Sequence, residues 1–306
     1  MNFELTDEQK MFAEQVRRFA QAQLAKDALA RAHRAGFRLC ELPITFHRRI
    51  AGTSKMGIRE ITRFCRQRSR VIGSFLQPLV FWLLLGAGLN ASFRPAGMPA
   101  NIDYFQYLYP GFIVLVLLFT AIFATISTVE DRREGFLQSV LVAPISRTTI
   151  VMGQALGATT LAWVPSCIFL ILAPMAGIRL SAGAAIFAAL IMALIAFALT
   201  CIGLTIAWKI ESTQGFHAIM NLILIPVWLL SGAFWPIDGA PALLRWTMRL
   251  NPLTYGMAAL RASLYAGDRG AMGALPSFAL SVAVAIAFAI ATFALAARTA
   301  RRAAAY

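Results

Sequence analysis

Six stretches of the chain carry no Asp, Glu, Lys or Arg: 71–93, 104–129, 148–178, 180–208, 212–237 and 270–297. An apolar helix crosses a bilayer core with about 20 residues, so each stretch is long enough for one span. The pattern predicts spans over about 71–91, 108–129, 151–173, 184–207, 215–233 and 275–297. Pro78, Pro165 and Pro226 fall inside them and are expected to kink or unwind them locally. Charge is confined to the gaps and ends. The fold class that follows is an all-α integral membrane protein with six transmembrane helices.

The gaps are not alike. Residues 1–39 read as soluble helix, with Thr6 and Gln9 placed as a capping box and Phe12, Val16 and Phe19 on one face. Residues 40–54 read as a linker. In 55–70, Ile58, Ile61, Phe64 and Cys65 recur three or four apart, surrounded by Arg59, Arg63, Arg66, Arg68 and Arg70. That is an amphipathic helix suited to an anionic leaflet just before the first span, or at the least a positive flank that anchors it. The interval 130–150, EDRREGFLQSVLVAPISRTTI, opens with five successive charges. It then places Phe136, Leu137, Val140 and Leu141 at helical spacing and stops at Pro144. An apolar face beside such a charge cluster needs a protein or membrane surface to cover it. The interval 234–273 is long, and Pro236, Pro241 and Pro252 break it into short pieces. Its Trp235, Trp246 and Tyr255 suit a membrane interface.

Composition agrees with this reading. Of 306 residues 59% are hydrophobic and 14% charged, where a soluble domain carries about a quarter charged. The net charge of +14 raises the question of nucleic acid. Yet 15 of the 28 Lys and Arg precede residue 71, and no basic, aromatic-interleaved groove follows, so no nucleic-acid partner is expected. With six spans both termini share a side. That side holds 22 Lys and Arg: the 15 at the N-terminus, three in 130–147, Lys209 and three in the tail, against 6 on the other. The positive-inside rule sets both termini in the cytoplasm. The expected location is the plasma (inner) membrane. Residues 1–39 are charged and helical, unlike a cleavable signal.

The chain offers little chemistry. It contains no GxxxxGK[ST] phosphate loop, GxSxG elbow or HExxH pair. His33, His47 and His217 are far apart, and Cys40, Cys65, Cys167 and Cys201 show no ligand spacing. No catalytic residue, metal site, structural disulfide or bound cofactor is predicted. Gly153 and Gly157 form a GxxxG pair that suits close helix packing within the chain or between copies. No ionisable residue lies in the middle of a predicted span, whereas pumps and ion-coupled carriers usually need such groups. Energy for any active transport must therefore come from elsewhere.

Two strings carry a resemblance. EDRREGFLQSVLVAPISR resembles the cytoplasmic coupling segment of type-2 ABC exporter permeases, with Glu134-Gly135 and Pro144-Ile145-Ser146-Arg147 at the matching places. SGAFWPIDGAPALLRWTMRLNPLTYGMAALR resembles the family's external segment before the last span, through Ser231-Gly232, Pro236, Asn251-Pro252-Leu253-Thr254-Tyr255 and Arg261. One departure is Ala258, where many members carry Asp. The resemblance covers about 56–300. It implies a six-span permease domain, 55–302, with a cytoplasmic coupling helix between spans 2 and 3 and an external helical segment before span 6. It further implies pairing of two permease subunits, alike or different, and a separate ABC ATP-binding subunit that holds ATP and Mg. Glu134, Gly135, Phe136, Leu137, Pro144 and Arg147 would contact that subunit. Drug-like or lipid-linked substrates are expected from the apolar, aromatic spans. The alternative is a membrane scaffold or accessory subunit without transport. Residues 1–39 resemble the first helix of acyl-CoA dehydrogenases, but no flavin-binding domain follows. Residues 1–54 are therefore expected to be a fusion remnant or a start-site error, with Met56-Gly57 a natural permease start.

Overall fold

The computed structural model describes residues 68–90, 92–133, 146–266 and 276–302. The described residues are helical, with short connectors. Six long helices alternate in direction: α1 (Arg68–Asn90), α2 (Tyr104–Arg133), α3 (Arg147–Ile171), α4 (Ala182–Ala207), α5 (Thr213–Trp228) and, after two short ones, α8 (Phe278–Arg302). Between α5 and α8 lie α6 (Ala242–Leu250) and α7 (Pro252–Leu264). The long helices lie over the six charge-free stretches. The predicted fragmentation of 234–273 appears as α6 and α7.

Five helices are long and apolar enough to cross a membrane: α2, α3, α4, α5 with the turn that extends it to Ala233, and α8. In α1 the apolar part is Leu76–Asn90. Serine side chains punctuate the helix entries, because each accepts an N–H that the first turn leaves unpaired. Ser146 accepts from Thr149 N, Ser181 from Ala184 N and Ser212 from Gly215 N.

The core is built around α2. Of its apolar stretch 89% is buried by the rest of the chain, against 22% in α8. Helices α1, α3, α4 and α5 all pack on α2, while α8 packs mainly on α4 and α7. Central placement explains why α2 reads as a continuous apolar run rather than an amphipathic one. At its first turns Trp82 of α1 is buried against Phe105, Tyr109 and Phe169, with ring centroids 4.3, 4.9 and 5.9 Å away. The indole Nε1 of Trp82 donates to Phe105 O at 3.2 Å.

Outer faces are apolar too. Leu84, Leu156, Ile171, Phe187, Leu190, Leu222 and Ile290 are exposed. A water-facing surface of this kind would aggregate, whereas lipid covers it without cost. Gly153 and Gly157 are both buried in α3. Their expected close packing is therefore met within the chain.

Of the three prolines expected to disturb spans, Pro78 and Pro165 sit inside continuous helices. Only Pro226 precedes a real break. Three residues after it the helix widens into a π turn, Leu229–Ala233, and Gly232 adopts φ +83°. A side chain at that φ is strained, so the glycine permits the exit from the helix.

Candidate functional site: the broken end of α5 and the two flanks of the charged loop

Where α5 unwinds, its carbonyls lose their helical partners. At membrane depth each must be satisfied from inside the protein. Side chains from α2 and from α7 with its N-cap do this. Asn251, the N-cap of α7, donates Nδ2 to Val227 O at 2.6 Å, while its Oδ1 accepts from Leu253 N at 3.0 Å. Thr254 Oγ1 reaches Leu230 O at 3.2 Å and Met248 O at 2.6 Å, so one hydroxyl ties α5, α6 and α7 together. Tyr104 OH donates to Phe234 O at 3.2 Å. Trp228 Nε1 donates across to Gly111 O at 2.8 Å. A Cβ at Gly111 would stand 2.9 Å from Ala233 Cβ, so α2 and the π turn approach as closely as backbones allow.

Arg261 is the centre of this arrangement. It is only 5% exposed. One Nη2 donates to Gly232 O at 2.8 Å and to Tyr107 O at 3.2 Å, and the guanidinium stands 3.9 Å from the Tyr107 ring centroid. Tyr107 OH donates to the same Gly232 O at 3.0 Å. A planar cation that stacks on an aromatic face and forks to two carbonyls is the type of buried site for which Arg is suited and Lys is not. At the end of α7, Tyr265 OH donates to Gln106 O at 2.8 Å. Burial holds that phenol well above its ordinary pKa, against the pull of nearby Arg261.

The residues singled out from sequence in the segment before the last long helix are thus brought together in part. Asn251 and Arg261 bind the broken end of α5. Pro252 opens α7 at its first position, where no N–H is needed. Pro236 packs instead near Gly97 in the α1–α2 connector. Tyr255 is half-buried and caps Arg249 O at 3.0 Å, away from Arg261. Ala258 is buried one turn before Arg261, so the cation is held by carbonyls and an aromatic face. Tyr104, Tyr107 and Trp228 were not foreseen. The spacing of Tyr104 and Tyr107 at the start of an otherwise apolar span was the available signal, since residues three apart share a face.

At the opposite end, Glu134, Gly135, Phe136, Leu137 and Pro144 lie outside the described residues, as do Arg59, Arg63 and Arg66. The flanks of the charged loop are described. On the α2 side Arg132 Nη1 donates to Ala207 O at 3.1 Å and to Ile210 O at 3.4 Å, closing the C-terminal end of α4. On the α3 side Ser146 is the N-cap. Arg147 is the first residue of α3, half-buried, with Nη1 unpaired among the described residues. Arg301 Nη2 of α8 donates to Thr148 Oγ1 at 2.7 Å. The α2 flank of the loop is thus tied to the end of α4, and the α3 flank to α8.

Among the described residues no cluster of His, Cys, Asp and Glu could hold a metal ion. Residues 53–265 match the model of a family described as ABC-2 type transporter. The chain is 29% identical over 203 residues to a protein named transport permease ycf38 of Cyanophora paradoxa, covering 64% of this chain and 68% of that one. It is 25% identical over 201 residues to nodulation protein J of Rhizobium leguminosarum bv. trifolii, covering 62% and 72%. A linearmycin resistance permease protein, LnrN of Bacillus subtilis, is 28% identical over 175 residues, covering 55% of this chain and 45% of its own.

Proposed function

Because the chain belongs to the ABC-2 type transporter family and is a membrane permease subunit, we propose that it forms the translocation path of an ATP-driven exporter. The substrate is hydrophobic: drug-like or lipid-linked. The observation that carries this is the family match over 53–265, which contains both the charged loop and the broken end of α5. A relative named for linearmycin resistance favours the drug-like class. The absence of ionisable groups in mid-span favours an external energy source. In this reading six spans place both termini in the cytoplasm of the plasma (inner) membrane. Two permease subunits pair, and each rests on a separate ABC ATP-binding subunit, which holds ATP and Mg.

Coupling then works through the charged loop. Glu134 pairs with a basic group of the ATP-binding subunit, and Phe136 and Leu137 fill its groove. Pro144 and Arg147 set where the loop rejoins α3. Closure of the ATP-binding subunits pushes this loop, and the ties of Arg132 and Arg301 pass the push to α4 and α8. The test is co-purification of the chain with an ATP-binding subunit, followed by ATPase and export assays. Glu134→Lys is expected to insert normally yet uncouple hydrolysis from export. Normal export by that variant would count against the coupling role, and failure of any ATP-binding subunit to co-purify would favour a scaffold.

A further inference from the structure

Helix α6 turns an apolar face away from its own chain. Its inner side is Met248, fully buried over the broken end of α5. Leu243, Trp246 and Leu250 are 81%, 64% and 79% exposed. At 3.6 residues per turn these three fall within about 60° of arc, diametrically opposite Met248. Arg249 is exposed beside Trp246, and its guanidinium bonds to no described residue. Arg245 is different, since it is used internally on Asp238 O and Ala240 O.

The position of α6 along the bundle is fixed by its neighbours. The connector before it touches the α1–α2 connector so closely that a Cβ at Gly239 would overlap Ala96 O. Arg94, Asp103, Arg179 and Asp238 lie in the connectors at this same end and mark where the chain leaves the apolar zone. Helix α6 therefore sits at the bilayer boundary.

We propose that α6 lies along this boundary as a lipid-binding helix. Leu243, Trp246 and Leu250 enter the boundary between head groups and acyl chains, and Arg249 meets the phosphate of a phospholipid head group. This rests on the membrane-permease reading for the bilayer itself, but on neither ATP nor substrate. Amphipathic interface helices bury their apolar side by about 5–10 Å, and Trp prefers that depth. A second copy of the chain fits the face less well. Three exposed side chains on a helix about 14 Å long present well under the roughly 800 Å² of accessible surface per partner of a stable dimer. Arg249, with no partner for its guanidinium among the described residues, also matches a phosphate better than an identical basic helix.

The link back to α5 gives the contact a consequence. Thr254 Oγ1 joins Met248 O of α6 to Leu230 O of the π turn. Lipid that draws α6 outward loads the broken end of α5 directly.

The experiment uses the full chain in phosphatidylcholine vesicles and in vesicles half phosphatidylglycerol. The lipid carries bromine near the head group or deep in the acyl chain. Wild type is compared with Trp246→Phe, a change at an exposed position that leaves packing intact. Shallow bromine is expected to quench wild-type emission more than that of Trp246→Phe, and deep bromine equally. Arg249→Gln is expected to remove any extra shallow quenching that phosphatidylglycerol brings. Equal shallow quenching of wild type and Trp246→Phe would overturn the proposal, whether iodide in the water reaches Trp246 instead or Leu250→Cys chains cross-link into pairs. Failure to bind an ATP-binding subunit leaves this result untouched, and the converse also holds.

Discussion

The Arg261 site makes a prediction sharp enough to fail. Gly232 is buried, sits at a positive φ that glycine adopts without strain, and its O accepts from two side chains, Arg261 and Tyr107. Removing one donor leaves the other in place. Tyr107→Phe keeps the ring under the guanidinium and loses one neutral hydrogen bond, a cost of about 1 kcal/mol. Arg261→Met loses two charge-assisted bonds at about 1.5–3 kcal/mol each and the stacking on Tyr107. It also releases the desolvation of a buried cation, several kcal/mol in the opposite direction, so the net cost is about 1–2 kcal/mol. The double variant leaves Gly232 O with no side-chain donor, which adds about 1–3 kcal/mol beyond the sum of the single changes. Arg261→Lys should do no better than Arg261→Met, because an ammonium retains the desolvation cost without the fork or the stack. The assay is reversible unfolding in mixed micelles titrated with sodium dodecyl sulfate, read by tryptophan emission. If the double variant is additive within about 0.5 kcal/mol, as independent sites are, the shared-acceptor reasoning is wrong.

Three further outcomes are expected. A Cβ at Gly203 would stand 2.6 Å from Thr125 Oγ1 and 3.0 Å from its Cγ2, so Gly203→Ala should destabilise by about 1–3 kcal/mol. Adding Thr125→Ala should recover most of this in the same micelle assay. Arg132→Met should cost about 0.5–2 kcal/mol, the range for a cation closing a helix C-terminus, and should raise hydrogen exchange at the end of α4 more than at the end of α3. Because burial raises the Tyr265 phenol in the folded state, the unfolded chain releases this proton first as pH rises. Its contribution is therefore whole below about pH 10 and declines above it, and Tyr265→Phe should flatten the loss of stability between pH 10 and pH 11.

Much of this molecule was legible without a structure. The six charge-free stretches located the long helices within a few residues, because a helix in lipid must be apolar all round and charge can sit only at its ends. The strings around Glu134 and Asn251 pointed to the family, and the family match contains both. Pro241 and Pro252 announced a broken segment before the last long helix, and the segment is broken there, since proline cannot extend a helix through its own nitrogen.

Other features were decided only by packing. Sequence could not say that Pro226, and not Pro78 or Pro165, precedes a real break. A proline is tolerated wherever neighbours satisfy the freed carbonyl, and that depends on which side chains stand nearby. Nor could it pair Arg261 with Tyr107 and Gly232, which are 154 and 29 positions away along the chain. The same holds for Arg132, which read as one charge in a cluster of five until the end of α4 was found beside it. Hydrophobic pattern is local and survives in one dimension, so it determined the helices. Satisfaction of buried polar groups is a question of three-dimensional neighbours, so only the tertiary structure decided which polar residues hold the fold and which are free to meet a partner.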